Sequence, residues 1–363
     1  MNRIALMFFC ACAAFGQQTS NQRPELIRLT DELDTAIQSG DWNKAAALSR
    51  SLKDATVEAR NRSMAKESEN LVDQLLQWLP PDTETLIVAQ QPFTIPRKDP
   101  KAIPSVTVMA QGYILGLLGA VEKEGLSNAL VGHTIRLAAI GARKFQNHDP
   151  DPRGVLPLGL ISYQGCAIYS FVEEVPESIF QRKADESVMG HPVWVSKGSQ
   201  NDFKDTDTYF SARPRPDLIF ACNDRDFLTQ MVSRMTVVQS PRALAVDLTE
   251  WQHLDRPAPV WAIRHFRADR VAADPTIAML LAGKDPGAAG LTVGFGINGG
   301  VTARMLAKSD PWADLAKAPD FQGMAASRKA GDGVWELSVT NKIEASTFAV
   351  FALMGFLGFV VLV

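Results

Sequence analysis

Gly294-Phe295-Gly296-Ile297-Asn298-Gly299 has the G-x-G-x-x-G spacing that lets a pyrophosphate approach the backbone at a helix N-terminus. The apolar run Leu291-Thr292-Val293 precedes it, as such a site requires. The downstream residues do not suit that chemistry. Residues 300–344 are too few to complete a nucleotide-binding half-sheet before an apolar tail begins, and the next acids belong to a helix start at Asp310-Pro311. Asn298-Gly299 instead reads as a tight type I′ turn, which needs positive φ at both positions and joins two alternating strands. A hairpin places Leu291, Val293, Phe295 and Ile297 on one face, with Gly294 and Gly296 on the other.

The remaining candidate chemistry is sparse. The histidines at 133, 148, 191, 253 and 265 include no pair at the three- or four-residue spacing that puts two imidazoles on one helical face for zinc. Asp202, Asp205 and Asp207 could offer oxygens to Ca²⁺ but lack the alternation and central glycine of a calcium loop, so they read as a solvated segment. Glu250, His253 and Asp255 beside Trp251 could form an acid–base set, although a polar helix end would have the same spacing. Neither a G-x-S-x-G elbow nor a phosphate-binding P-loop occurs. The expectation is no cofactor, no metal and no catalytic residue that the sequence can name.

The ends of the chain carry more information. Residues 345–363 are uncharged and mostly apolar, and as a helix at about 1.5 Å per residue they would span roughly 28 Å, the thickness of a bilayer core. Residues 1–16 have one basic residue, Arg3, then an apolar stretch and Ala14-Phe15-Gly16, the three parts of a secretory signal peptide. The expected molecule is exported, lies on the extracytoplasmic side and is anchored to the membrane by a C-terminal transmembrane helix. Cys10 and Cys12 would leave with the signal peptide. Cys166 and Cys222 lie in strand-like runs and could pair in an oxidising compartment, but two buried free thiols are the preferred reading.

A net charge of −3 argues against a nucleic-acid partner, and the basic run Arg264, His265, Arg267 and Arg270 reads as a solvated edge. At 46% hydrophobic and 21% charged, the chain has the composition of a folded globular protein.

Helical periodicity runs over residues 22–78: Leu26, Leu29, Leu33 and Ile37 form one stripe, and Trp42, Ala45, Ala46, Leu48 and Leu52 a second. Gly40 suits the end of the first helix and Asp41 the N-cap of the next. A third helix is expected over 63–78. This turn, with Gly40-Asp41-Trp42 and alanines after it, resembles a single tetratricopeptide-like hairpin over about 40 residues and appears once, so no solenoid is implied. It would serve as an arm for a protein partner or as a cap on the following domain.

Beyond Pro80-Pro81, strands are expected at 85–89, 134–140, 160–171, 192–196, 209–212, 218–221, 260–266, 291–297, 301–306 and 334–339, with an apolar helix near 113–121. Ser240-Pro241, Asp274-Pro275 and Asp310-Pro311 mark helix starts, and Asp332-Gly333 a second hairpin. Hairpins interleaved with helices predict an α+β fold: an antiparallel sheet with helices on one face, an N-terminal helical hairpin arm and the C-terminal transmembrane helix. The divisions are 1–16 signal peptide, 17–79 helical arm, 80–341 α+β domain in one or two lobes, and 345–363 tail. The expected function is that of a membrane-tethered cell-envelope protein of the non-catalytic, binding kind. The alternative is an exported hydrolase whose active site is assembled from residues distant in sequence.

Overall fold

The computed structural model describes residues 23–90, 93–94, 132–147, 161–197, 208–236, 241–267, 287–295, 301–317 and 325–339. The expected signal peptide, the apolar helix near 113–121, the Asp202–Asp207 triplet, His148, Asn298-Gly299, the Asp274-Pro275 helix start and the transmembrane tail lie outside these residues. Among the described residues no helix is long and apolar enough to cross a membrane. The chain divides into two compact units, 1–70 and 71–363.

The first unit contains helix α1 (Arg23–Gln38) and most of helix α2 (Trp42–Trp78). The turn between them closes as the sequence implies. Gly40 takes φ +71°, the Asp41 amide donates to the Ala36 carbonyl at 3.0 Å, and the Gly40 amide donates to Ile37 at 3.1 Å. Asp41 then caps α2 by accepting from the Lys44 amide at 3.0 Å. The expected second and third helices are one continuous helix, because residues 53–62 contain neither glycine nor proline to break it.

The second unit is an α+β domain built on one large antiparallel sheet. Its strands are β1 (Thr85–Ala89), β2 (Phe93–Thr94), β3 (Thr134–Asn147), β4 (Ile161–Phe171), β5 (Glu186–Val188), β6 (His191–Lys197), β7 (Thr208–Arg215), β8 (Leu218–Cys222), β9 (Val260–His265), β10 (Gly290–Phe295), β11 (Val301–Leu306), β12 (Ala325–Gly331) and β13 (Val334–Val339). The order across the sheet is β12-β13-β11-β10-β9-β1-β3-β4-β8-β7-β6-β5, with β2 pairing β3 at the side. The first strand is therefore central; on one flank β5 to β8 run as a meander inward from the edge to meet β4, and on the other β9, β10 and β11 step outward before the β12–β13 hairpin closes the sheet with β13 against β11.

The period-2 alternation of these strands sorts their side chains into two buried layers. Ile87 and Ala89 enter one, with Tyr169, Phe171, Leu291, Met305 and Trp312. Leu86 and Val88 enter the other, with Ile168, Phe220, Trp261 and Ile263. That second layer also holds the last turns of α2 (Leu71, Leu75, Leu76) and helix α3 (Arg225–Arg234), through Phe227, Leu228, Met231 and Val232. The sequence pattern missed α3, whose start is nonetheless marked: Asp224 accepts from the Phe227 amide at 2.7 Å.

Two of the proline-marked helix starts can be followed, from Pro241 and from Asp310 onward, and they have opposite outcomes. Ser240-Pro241 does not open a helix over 241–248. There the Ala243 amide donates to the Leu76 carbonyl and the Pro241 carbonyl accepts from Arg234, so tertiary bonds replace helical ones. Asp310-Pro311 does precede a helix, α4 (Ala313–Lys317), and Asp310 accepts from the Trp312 amide at 2.9 Å. The reading of the cysteines also changes. Cys166 and Cys222 are not free thiols: they face each other in register on β4 and β8, with Cα atoms 4.0 Å apart, and form a disulfide.

Candidate functional site

Of the G-x-G-x-x-G segment, Gly294 and Phe295 lie on strand β10, and residues 296–299 lie outside the described residues. β10 pairs antiparallel with β11 from Gly290↔Leu306 to Phe295↔Val301, so the strand carrying Gly294 turns back into the sheet. A pyrophosphate site needs a strand that runs into a helix at that point.

The strongest concentration of polar chemistry lies beside that hairpin, on the face of the sheet that carries Ile263 and Trp261. A short 3₁₀ turn (Thr249–His253) lies against β9 and β10 and delivers Glu250 into the interior. Glu250 is only 2% exposed, and its carboxylate accepts from His265 Nδ1 at 2.7 Å. Gly290 makes this possible. It sits opposite His265 across β9–β10, and a Cβ there would run into the Glu250 carboxylate. The hydrogen bond that His265 donates to Glu250 is the main cause that raises the His265 pKa above its ordinary value, with the negative charge of buried Glu84 adding to it. The His265 amide also donates to the Glu84 carbonyl at 2.8 Å, which fixes the ring's strand position.

The polar chain continues sideways. The His253 carbonyl accepts from Thr292 Oγ1 at 3.2 Å and from Arg304 Nη1 at 2.8 Å. Arg304 Nε donates to Glu336 at 2.7 Å, Arg328 Nε donates to the other Glu336 oxygen at 2.8 Å, and Ser338 adds a third donor at 3.1 Å. Strand register dictates this ladder, since Thr292 pairs with Arg304, Arg304 with Glu336, and Glu336 with Arg328. Burial alone would raise the Glu336 pKa, but the hydrogen bonds from Arg304 and Arg328 outweigh it and hold the carboxyl below its usual range.

A second cluster has the opposite polarity. Arg143, 2% exposed on β3, donates to Asp82 at 2.6 Å, Asp226 at 3.2 Å and Gln164 at 3.1 Å, and its guanidinium lies 5.1 Å from the Phe227 ring centre. Asp226 is in the first turn of α3, so this cluster ties the helix to a central strand of the sheet.

These positions bear on two sequence readings. Glu250, His253 and Asp255 do not assemble as an acid–base set: Glu250 bonds His265, and His253 contributes its main-chain carbonyl. The basic run is not wholly a solvated edge either. Arg264 is fully buried and His265 is half-buried, while Arg267 is exposed. Sequence reasoning missed Gly290, Arg304 and Glu336. A signal for Glu336 was present, because it occupies the same alternating face as Val334, where a charge demands partners.

Chemically, the Glu250–His265 pair has the carboxylate-and-imidazole half of a base-activated nucleophile. Among the described residues no hydroxyl or thiol is bonded to His265 Nε2, and no three His, Cys, Asp or Glu side chains converge as a metal-binding group.

No protein family and no curated protein matches this chain. A solved structure described as "Structure of crystal form III of TP0453" aligns with 73% of this chain and 91% of that one, at 10% identity and a TM-score of 0.39, a likeness too slight to transfer a fold or a function.

Proposed function

We propose that this is an exported, membrane-tethered cell-envelope protein that binds another macromolecule through its N-terminal helical hairpin. In this reading the α+β domain, with the end of α2 and α3 on one face of its sheet, is the scaffold. Residues 345–363 are the membrane anchor. The observation that carries the reading is the apolar surface of the hairpin. Ile27, Ile37 and Trp42 are 52%, 43% and 69% exposed, large side chains that a helix pair complete in itself would bury. The Cys166–Cys222 disulfide supports the exported location, since such bonds persist outside reducing compartments.

The test is cross-linking in intact cells followed by purification from solubilised membranes, comparing wild type with Ile27→Ser/Ile37→Ser/Trp42→Ser. Loss of a specific cross-linked partner in the variant, with thermal stability unchanged, is the expected result. An identical set of partners, or a cytoplasmic protein with both cysteines open to alkylation, overturns the proposal.

A second reading, an exported hydrolase, is favoured by one observation: Glu250 and His265 come from different elements and meet at 2.7 Å. Loss of hydrolysis of a chromogenic ester in His265→Gln would support it. An equal rate in wild type, variant and buffer would remove it.

A further inference from the structure

We propose that Arg242 and Arg256, held against the indole of Trp251, form a binding site for a phosphate oxyanion. The Arg242 guanidinium carbon lies 4.9 Å from the Trp251 ring centre and that of Arg256 lies 5.0 Å from it. Two cations thus share one ring. Neither guanidinium makes an ion pair with a carboxylate among the described residues, and the Nε and Nη2 of Arg242 are buried without a hydrogen-bond acceptor. Both burial and the charge of Arg256 oppose the protonated form of Arg242, and Asp73 offsets them only through space.

The contrast with nearby Arg234 is informative. Arg234 donates to the Gln77 and Pro241 carbonyls, so its N–H groups are occupied in holding the 241–248 segment. Arg242, one residue along from Pro241, has no such structural duty. Its platform is firmly built, because Trp251 Nε1 donates to the Ala245 carbonyl at 2.8 Å and to Leu244 at 3.2 Å, and the indole packs edge-on against Trp261. The planar N–H fork of a guanidinium is the geometry that grips a phosphate through two parallel hydrogen bonds, and on Arg242 the buried Nε and Nη2 of that fork lack an acceptor. An oxyanion bridging the two arginines supplies the missing acceptors and cancels the repulsion between them. The anion site does not depend on the partner proposed for the helical hairpin.

The phosphate can be free or carried on a lipid headgroup, and two arms separate these sources. The purified full-length protein in nonionic detergent is dialysed against radiolabelled inorganic phosphate. Separately, it is floated with vesicles of phosphatidylcholine alone or mixed with phosphatidylglycerol. Wild type is compared with Arg242→Gln, Arg256→Gln and Arg242→Lys, each of which retains any membrane anchor. Saturable binding in the first arm assigns a free anion. A preference for the phosphatidylglycerol vesicles alone assigns a headgroup. In either case each Gln variant should weaken binding about tenfold or more, and Arg242→Lys should fail to restore it, because an ammonium keeps the charge but not the fork. A thermal midpoint for Arg242→Gln no lower than wild type in phosphate-free buffer is also expected, since the variant removes an unpartnered cation. The proposal is overturned if wild type binds in neither arm, if the Gln variants bind as wild type does, or if Arg242→Gln is clearly destabilised without any anion.

Discussion

The two buried-charge clusters, one on a central strand and one beside the sheet edge, have opposite polarity. On β3 a single buried cation, Arg143, is surrounded by Asp82, Asp226, Gln164 and Gln230. On β13 a single buried anion, Glu336, is surrounded by Arg304, Arg328 and Ser338. Each keeps one charge inside and its partners nearer solvent, so each avoids leaving a buried charge alone. They differ in what they join. The Arg143 cluster links residues far apart in sequence and pins α3, whereas the Glu336 cluster runs along the register of neighbouring strands. The first should matter to the whole domain, the second to its outer strands.

Stranding the central charge tests that difference most directly. Asp82→Ala/Asp226→Ala leaves Arg143 buried with neutral partners only, and should cost about 3–5 kcal/mol in urea unfolding. Arg304→Ala/Arg328→Ala should cost less, about 2 kcal/mol at neutral pH, because a carboxyl can escape by taking up a proton. The acid profile separates the cases further. In wild type the Glu336 pKa is lowered, so its contribution is present above the usual glutamate value and is lost as pH falls through the depressed one. In the double-arginine variant only the Ser338 hydrogen bond still opposes burial, so the pKa should rise and the cost should shrink as pH falls. Parallel acid profiles for the two proteins would mean that the arginines do not set the Glu336 charge.

Much of the sheet was legible in the sequence and most of the polar site was not, for one physical reason. Strand periodicity is local: residues 85–89, 301–306 and 334–339 coincide with β1, β11 and β13. The hairpin signal at Asp332-Gly333 was equally local, with Gly333 at φ +68°. β12 was invisible because Ala325–Gly331 is mostly exposed and lacks apolar alternation; its pairing with β13 defines it. The disulfide and the Glu250–His265 bond depend on which strands become neighbours, which spacing does not encode. Ser240-Pro241 carries a helix-start pattern, but the contacts of Arg234 and Leu76 outweighed it.

Gly290 lets the comparison be extended to the Glu250–His265 pair. Gly290→Ala introduces a methyl where the Glu250 carboxylate sits, and overpacking of this kind costs about 1–3 kcal/mol. The variant should also change a titration. With Glu250 displaced, the His265 pKa should move back down toward the ordinary histidine value, as followed by NMR titration of the ring. An unmoved titration in a folded variant would show that Glu250 is not what raises it.

The smallest effect is the pH dependence of the His265 pair itself. Its pKa is raised above 6.5 by the Glu250 hydrogen bond, so the folded state binds its proton more tightly than the unfolded chain does. The resulting stability is fully present below pH 6.5 and is lost as pH rises through the elevated value, the reverse of the Glu336 window. The exposed edge of the ring lets solvent screen the pair, which limits the contribution to less than about 1 kcal/mol. The measurement is the stability difference between wild type and His265→Gln across neutral pH. It should be largest on the acid side and narrow toward the alkaline side. A difference that grows with pH instead would mean that the folded state favours neutral His265, and that the pair is held by the imidazole's shape rather than by its charge.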